Sequence, residues 1–132
     1  MSDEPHPAES GELLKPELYA ESAGGTVTLA GGACECGYLF FPWQRYGCER
    51  CGGTTLRRKP LVARGILRSS ATVHVFRGEG YEVPFTVGSI ALDEGPVIRA
   101  LVEGDGLPVG QRVEGRIQRE VGEQRDLIFV PL

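Results

Sequence analysis

The sequence predicts a mainly β fold in three parts: a short helical arm at the N-terminus, a small cysteine-bearing ribbon, and a five-stranded barrel. Three observations predict it. From Pro60 onward, β-branched or alternating runs follow one another between glycine-bearing turns. Glycine (19) and proline (9) make up about a fifth of the 132 residues, which favours short strands and turns over long helices. All four cysteines fall between positions 34 and 51.

Taken in order, residues 1–30 read as a flexible arm. Its first twelve, MSDEPHPAESGE, carry too little apolar surface to offset the entropy of ordering. A short helix is expected over Leu13–Ser22, with Pro16 in its first turn, Glu17 after it, and Gly24-Gly25 as its stop. About two turns of helix are marginal alone in water, so this one needs a surface to lie on. Thr26–Leu29 alternates with period two and leads into the cysteines as a strand.

Residues 31–57 form the ribbon. Cys34-Glu-Cys36 and Cys48-Glu-Arg-Cys51 are two close pairs with eleven residues between them. A tetrahedral thiolate site needs that layout, each pair bending round one side of an ion while the loop lets the pairs face each other. Gly37 and Gly52 follow the pairs and permit the positive φ that turns backbone amides toward sulfur. Two disulfides are the alternative, but bridging Cys34 to Cys36 would be strained and a reducing compartment disfavours both. A redox Cys-x-x-Cys would leave the first pair unexplained. The reading is therefore a structural zinc ion held by Cys34, Cys36, Cys48 and Cys51 in a rubredoxin-like zinc ribbon. The first knuckle departs from the usual Cys-x-x-Cys in being Cys-x-Cys, and four protein ligands leave no open coordination position.

Residues 58–132 form the barrel. Leu61–Leu67, Ala71–Arg77, Tyr81–Leu92, Pro96–Glu103, Gln111–Val121 and Leu127–Leu132 read as strands. Val113, Ile117 and Val121 share one parity while Glu114, Arg116 and Glu120 take the other, as a strand with one buried face requires. Closing such strands removes exposed edges, and at this size the five-stranded OB-fold fits best.

Charge is unevenly placed. Residues 1–44 sum to -6, residues 45–77 to +7 and residues 78–132 to -5, for a net -4. A basic centre between acidic flanks can attract an anion locally, but the whole is no polyanion binder. The N-terminus lacks a basic region followed by an apolar run, and Tyr38–Trp43 is too short to span a bilayer, so a cytoplasmic chain without membrane insertion is expected.

Five of the ten aromatic residues (Tyr38, Phe40, Phe41, Trp43 and Tyr46) crowd the segment between the cysteine pairs. A ribbon has little interior to hold them, so part of this patch is expected to meet another protein. The alternative is that all are intramolecular core.

The residues resemble a known family, the zinc-ribbon/OB-fold proteins associated with acyl-CoA enzymes. The resemblance runs from about Leu29 to the C-terminus, through Cys34-x-Cys36-Gly37-x-x-x-Phe41-Pro42, Tyr46-Gly-Cys48-x-x-Cys51-Gly52, Pro84–Gly95 and Leu107–Val113. It implies a non-catalytic accessory subunit in a hetero-oligomer built on a thiolase dimer. There it would bind the thiolase-fold catalytic subunit and help form the acyl-CoA site for C–C bond cleavage or formation. The complex, with its structural zinc, would then bind a CoA thioester.

The residues support a helper role on their own account. Thiolase chemistry needs a free nucleophilic cysteine with acid/base partners, and here every cysteine belongs to the metal motif. His6 lies in the arm and His74 in an apparent strand without an obvious partner. No Gly-x-Ser-x-Gly, dinucleotide or phosphate-loop motif is present. No catalysis is expected from this chain alone. Arg57, Arg58, Lys59 and Arg64, with Arg68, are candidate contacts for CoA phosphates or an acidic partner surface; a solvated face is the plainer reading of each. The rival function is a single-stranded nucleic-acid module with Phe76, Tyr81 and Phe85 as stacking rings beside Arg64, Arg68 and Arg77. A pI of 5.2 and an acidic second half argue against nucleic acid.

Overall fold

The computed structural model describes residues 12–132, so the first eleven, with His6, lie outside the described residues. Among the described residues there are nine strands and no helix. They are β1 (Tyr19–Glu21), β2 (Val27–Cys34), β3 (Leu39–Phe40), β4 (Leu56–Val62), β5 (Arg64–Val73), β6 (Phe85–Leu92), β7 (Val97–Val102), β8 (Arg112–Val121) and β9 (Gln124–Pro131).

The expected helix over Leu13–Ser22 is replaced by a turn and β1. The chain here spends its amides on neighbours rather than on itself. Leu14 N–H donates to Arg125 O at 2.7 Å, Arg125 N–H donates back to Glu12 O, and Tyr19–Glu21 pairs antiparallel with Val27–Leu29. Pro16 sits in the turn closed by Leu18 N–H to Lys15 O. Gly25, at φ 87°, is part of the β1–β2 hairpin turn and not a helix stop. Tertiary partners thus override a weak helical propensity.

Strand β2 is the hub of the smaller sheet, flanked by β1 and β3 on one edge and by β4 on the other. The other five strands close into a barrel in the order β5-β6-β7-β9-β8, with β5 pairing β8 and with β7 and β9 parallel. That is the strand order of an OB barrel.

Three predicted strands are redrawn. The run Leu61–Leu67 breaks at Ala63: β4 pairs with β2, and β5 enters the barrel. Ala71–Arg77 is no strand of its own, since residues 71–73 complete β5 and 74–77 leave the ladder, which puts His74 in an exposed loop. β6 likewise starts at Phe85, four residues after the predicted Tyr81. Both ten-residue strands, β5 and β8, carry a register shift (at Leu67/Ser69 and Ile117/Arg119), the bulges that let long strands coil round a small barrel.

One apolar cluster joins the two sheets. Val27, Leu29 and Leu61 of the smaller sheet pack with Leu67, Ile90, Val113 and Phe129 of the barrel. Val113 and Ile117 are buried, as their shared parity predicts.

Candidate metal centre and the surfaces around it

Cys34 ends β2, and a tight turn brings Cys36 back beside it: Gly37, at φ 98°, donates N–H to Cys34 O, and Cys34 N–H donates to Tyr38 O. The second knuckle is built the same way, with Gly52 N–H on Cys48 O and Cys48 N–H on Gly53 O. The two turns face each other. All four Sγ atoms lie within 4.8 Å of one another, with Cys34–Cys51 at 3.6 Å and Cys36–Cys48 at 3.7 Å. A tetrahedron of thiolates about 2.3 Å from a central zinc has edges of roughly 3.8 Å, whereas a disulfide needs about 2.05 Å. The four cysteines are free thiols in a geometry that fits a metal ion such as zinc.

Backbone donors surround the sulfurs. Arg50 N–H and Cys51 N–H reach Cys48 Sγ at 3.3 and 3.4 Å, and Gly53 N–H reaches Cys51 Sγ at 3.3 Å. Arg50 Nη2 donates to Cys36 O at 2.8 Å and lies 3.7 Å from Cys36 Sγ, so one cation spans both knuckles. Four thiolates around a dication leave net negative charge, which this guanidinium offsets. The thiols are already unequal. The Tyr38 amide draws the Cys36 thiol down to about 6 against its burial. At Cys48 burial pushes upward, but two backbone donors outweigh it and the thiol is lowered as well. At Cys34 a backbone bond from Cys36 pulls down, but burial and the neighbouring thiols push it up to about 12.

The aromatic segment between the knuckles is divided in its roles. Tyr38, Phe40 and Trp43 stack in a row, with centroids 6.3 and 6.1 Å apart, and each end is capped by a cation: Arg50 over Tyr38, Arg58 over Trp43. Phe40 is buried inside this row and Phe41 packs against the main core. Tyr46 projects alone, 86% exposed.

The basic residues do not converge on one point. Arg57 and Arg58 are neighbours on β4 and so point to opposite faces. Lys59 is paired with Glu94 at 3.2 Å and Arg64 with Glu114 at 3.1 Å. Phe76, Tyr81 and Phe85 pack on one another, with centroids 5.1 to 5.5 Å apart, and the Arg119 guanidinium covers the Tyr81 ring at 4.6 Å. These contacts use part of each ring face within the molecule, while Phe76 stays 42% exposed.

A buried polar relay escaped the sequence reading. Tyr19 Oη donates to Asp126 Oδ1 at 2.5 Å, and Arg119 Nη1 donates to Asp126 Oδ2 at 2.7 Å. Arg119 also bonds the Gly80 carbonyl. Burial first, then the bond to Asp126, raises the Tyr19 hydroxyl well above the usual tyrosine range. Tyr19 and Asp126 are 107 residues apart, and nothing local in the chain announces the pairing.

No protein-family model matches the chain, and no curated protein matches it. A solved structure does. The chain shares its fold with a component of the Ltp2-ChsH2(DUF35) aldolase, at a TM-score of 0.65 and 22% identity over 79% of this chain and 84% of that one.

Proposed function

We propose that this chain is a non-catalytic zinc subunit that docks on a thiolase-fold catalytic chain in a reducing cytoplasm and helps form its acyl-CoA site. The observation that carries the reading is the fold shared with a component of the Ltp2-ChsH2(DUF35) aldolase over most of both chains. The four-thiol cluster supports it, because all four cysteines of the sequence are drawn into one centre and none is left as a nucleophile. Within such complexes the phrase Tyr46-Gly-Cys48-Glu-Arg-Cys51-Gly52 is similar to that of the benzoylsuccinyl-CoA thiolase small subunit, which favours a C–C bond-cleaving thiolase as the partner.

In this reading the metal, when bound, supplies a rigid cross-link and no chemistry at a substrate. The chain's own residues do the rest. Arg50 ties the knuckles together, the capped aromatic row stiffens the segment between them, and Tyr46 stands out as the anchor a partner pocket would receive. Of the candidate cations on β4, Arg57 is in no ion pair among the described residues and can meet an acidic surface or a phosphate, while Arg58 is engaged over the Trp43 ring.

Co-expression with a candidate thiolase-fold chain tests the proposal. The two should co-purify, and acyl-CoA cleavage should require both. Tyr46→Ala should weaken assembly at least tenfold by titration while leaving the melting midpoint of the isolated subunit unchanged, since the side chain touches almost nothing within it. An isolated chain that turns over acyl-CoA thioesters alone would sink the proposal.

A further inference from the structure

The parallel seam of the barrel is registered at one pair only, Val102↔Phe129. Upstream of that pair the edge of β9 is occupied by the N-terminal segment, through the Leu13↔Arg125 bridge. Where the two strands part lies a pocket of about 370 Å³, walled by Ile98 and Leu101 of β7, Leu127 of β9, Leu18 of the arm, and the rings of Phe41 and Phe85. The space equals roughly a dozen water volumes at about 30 Å³ each, room for an apolar group of similar atom count.

Its charges are asymmetric. Asp126 reaches the wall, but both its oxygens are already bonded, to Tyr19 and to Arg119, so it is neutralised in place. Lys15 and Arg99 also line the pocket, and neither takes part in an ion pair among the described residues. An apolar chamber with two uncommitted cations at its wall selects one chemistry. We propose that this pocket binds a monoanionic amphiphile, an aryl or medium-length alkyl group joined to a carboxyl function. The ligand is the free acid, because an ester or thioester of it would carry no charge at that end. The apolar body replaces water against the rings and aliphatic walls, and the anionic end meets Lys15 and Arg99. The proposal does not rest on the partnership above, because the pocket is formed by this chain alone.

Calorimetric titration of the full, zinc-loaded chain with octanoate and 4-phenylbutyrate, and with octan-1-ol as the uncharged control, tests it. Saturable one-to-one binding is expected for the acids. Lys15→Glu and Arg99→Glu should each weaken the acids about tenfold and leave the alcohol unchanged. Leu101→Trp, which adds an indole at a lining position, should abolish both. Methyl NMR on the unaltered protein supplies a second reading: octanoate should shift Ile98 and Leu127 and leave Val113, buried between the sheets, in place. Absence of saturable binding, or binding indifferent to the charge reversals and with unshifted Ile98 and Leu127 methyls, would overturn the proposal.

Discussion

At Cys48 a single sulfur accepts two backbone N–H groups while its own N–H and C=O close the knuckle, so the turn and the ligand are one unit. Cys48→Ser keeps the turn's hydrogen-bonding atoms but removes a thiolate. Zinc content should fall below one per chain by elemental analysis, and amide exchange should rise across residues 35–55. A second residue-scale prediction concerns Asp126. Replacing it by alanine strands the Arg119 guanidinium in a largely buried site, which costs about 3–5 kcal/mol by the behaviour of broken buried pairs. Tyr19→Phe removes only a hydroxyl and should cost about 1–3 kcal/mol. Urea titrations of the two variants should rank them in that order. The same hydroxyl gives a pH signature. Its proton is held more tightly in the folded chain than in the unfolded one, where it leaves near 10 as in free tyrosine. Its contribution is therefore complete below about pH 10 and is lost as pH climbs toward the folded value. Tyr19→Phe should flatten that alkaline fall in melting midpoint.

At the scale of elements, what was legible in the chain was local. The alternation of Val113 and Ile117 and the glycine-bearing turns marked the barrel strands, and the spacing of the cysteines marked the knuckles. Two things were not legible. Residues 13–22 carry a helix-compatible composition, but their structure is set by Arg125, Asp126 and β2, partners distant in sequence. The continuous strand-like run from Leu61 to Leu67 hides the point where the chain changes sheets, because both strands bury one face in the same core. Backbone crowding marks that crossing. A Cβ on Gly65 would stand 2.8 Å from the Ala91 carbonyl carbon and from Leu92 Cα, neither of which can swing aside. Gly65→Ala should destabilise the barrel by about 1–3 kcal/mol or more, the range for overpacking, whereas Gly24→Ala in the hairpin turn, with only Ser22 Oγ at 3.9 Å, should be close to neutral. Strand β4, at the outer edge of the smaller sheet, is guarded in two ways: Pro60 offers no N–H, and Val62 N–H is taken by Glu94 Oε1 at 2.8 Å. Both devices blunt edge-to-edge pairing of copies.

For the whole molecule, the question is how far the metal's influence reaches. Cys34 stands at the far end of β2, whose other end, Val27 and Leu29, is embedded in the core shared with the barrel. Residues 35–55 contribute only Phe40 and Cys48 to the buried set and have no long ladder of their own. Their order therefore depends on the cross-link, while that of β5 to β9 depends on apolar burial around Phe129, Ile90 and Val113. Stripping zinc with a chelator under reducing conditions should accordingly expose amides 35–55 to exchange and quench the environment of Trp43, which leans on Phe40 and Arg58. Amides of residues 64–131 should stay protected, with a lower melting midpoint because β2 is shared. Tryptophan emission and residue-resolved exchange on the same sample separate the two regions. Re-adding zinc should restore both, since each thiol regains its place from a chain whose β2 and β4 never parted. Global loss of protection on chelation would instead mean that the two sheets fold only as one unit, with the metal holding the barrel as well as the ribbon.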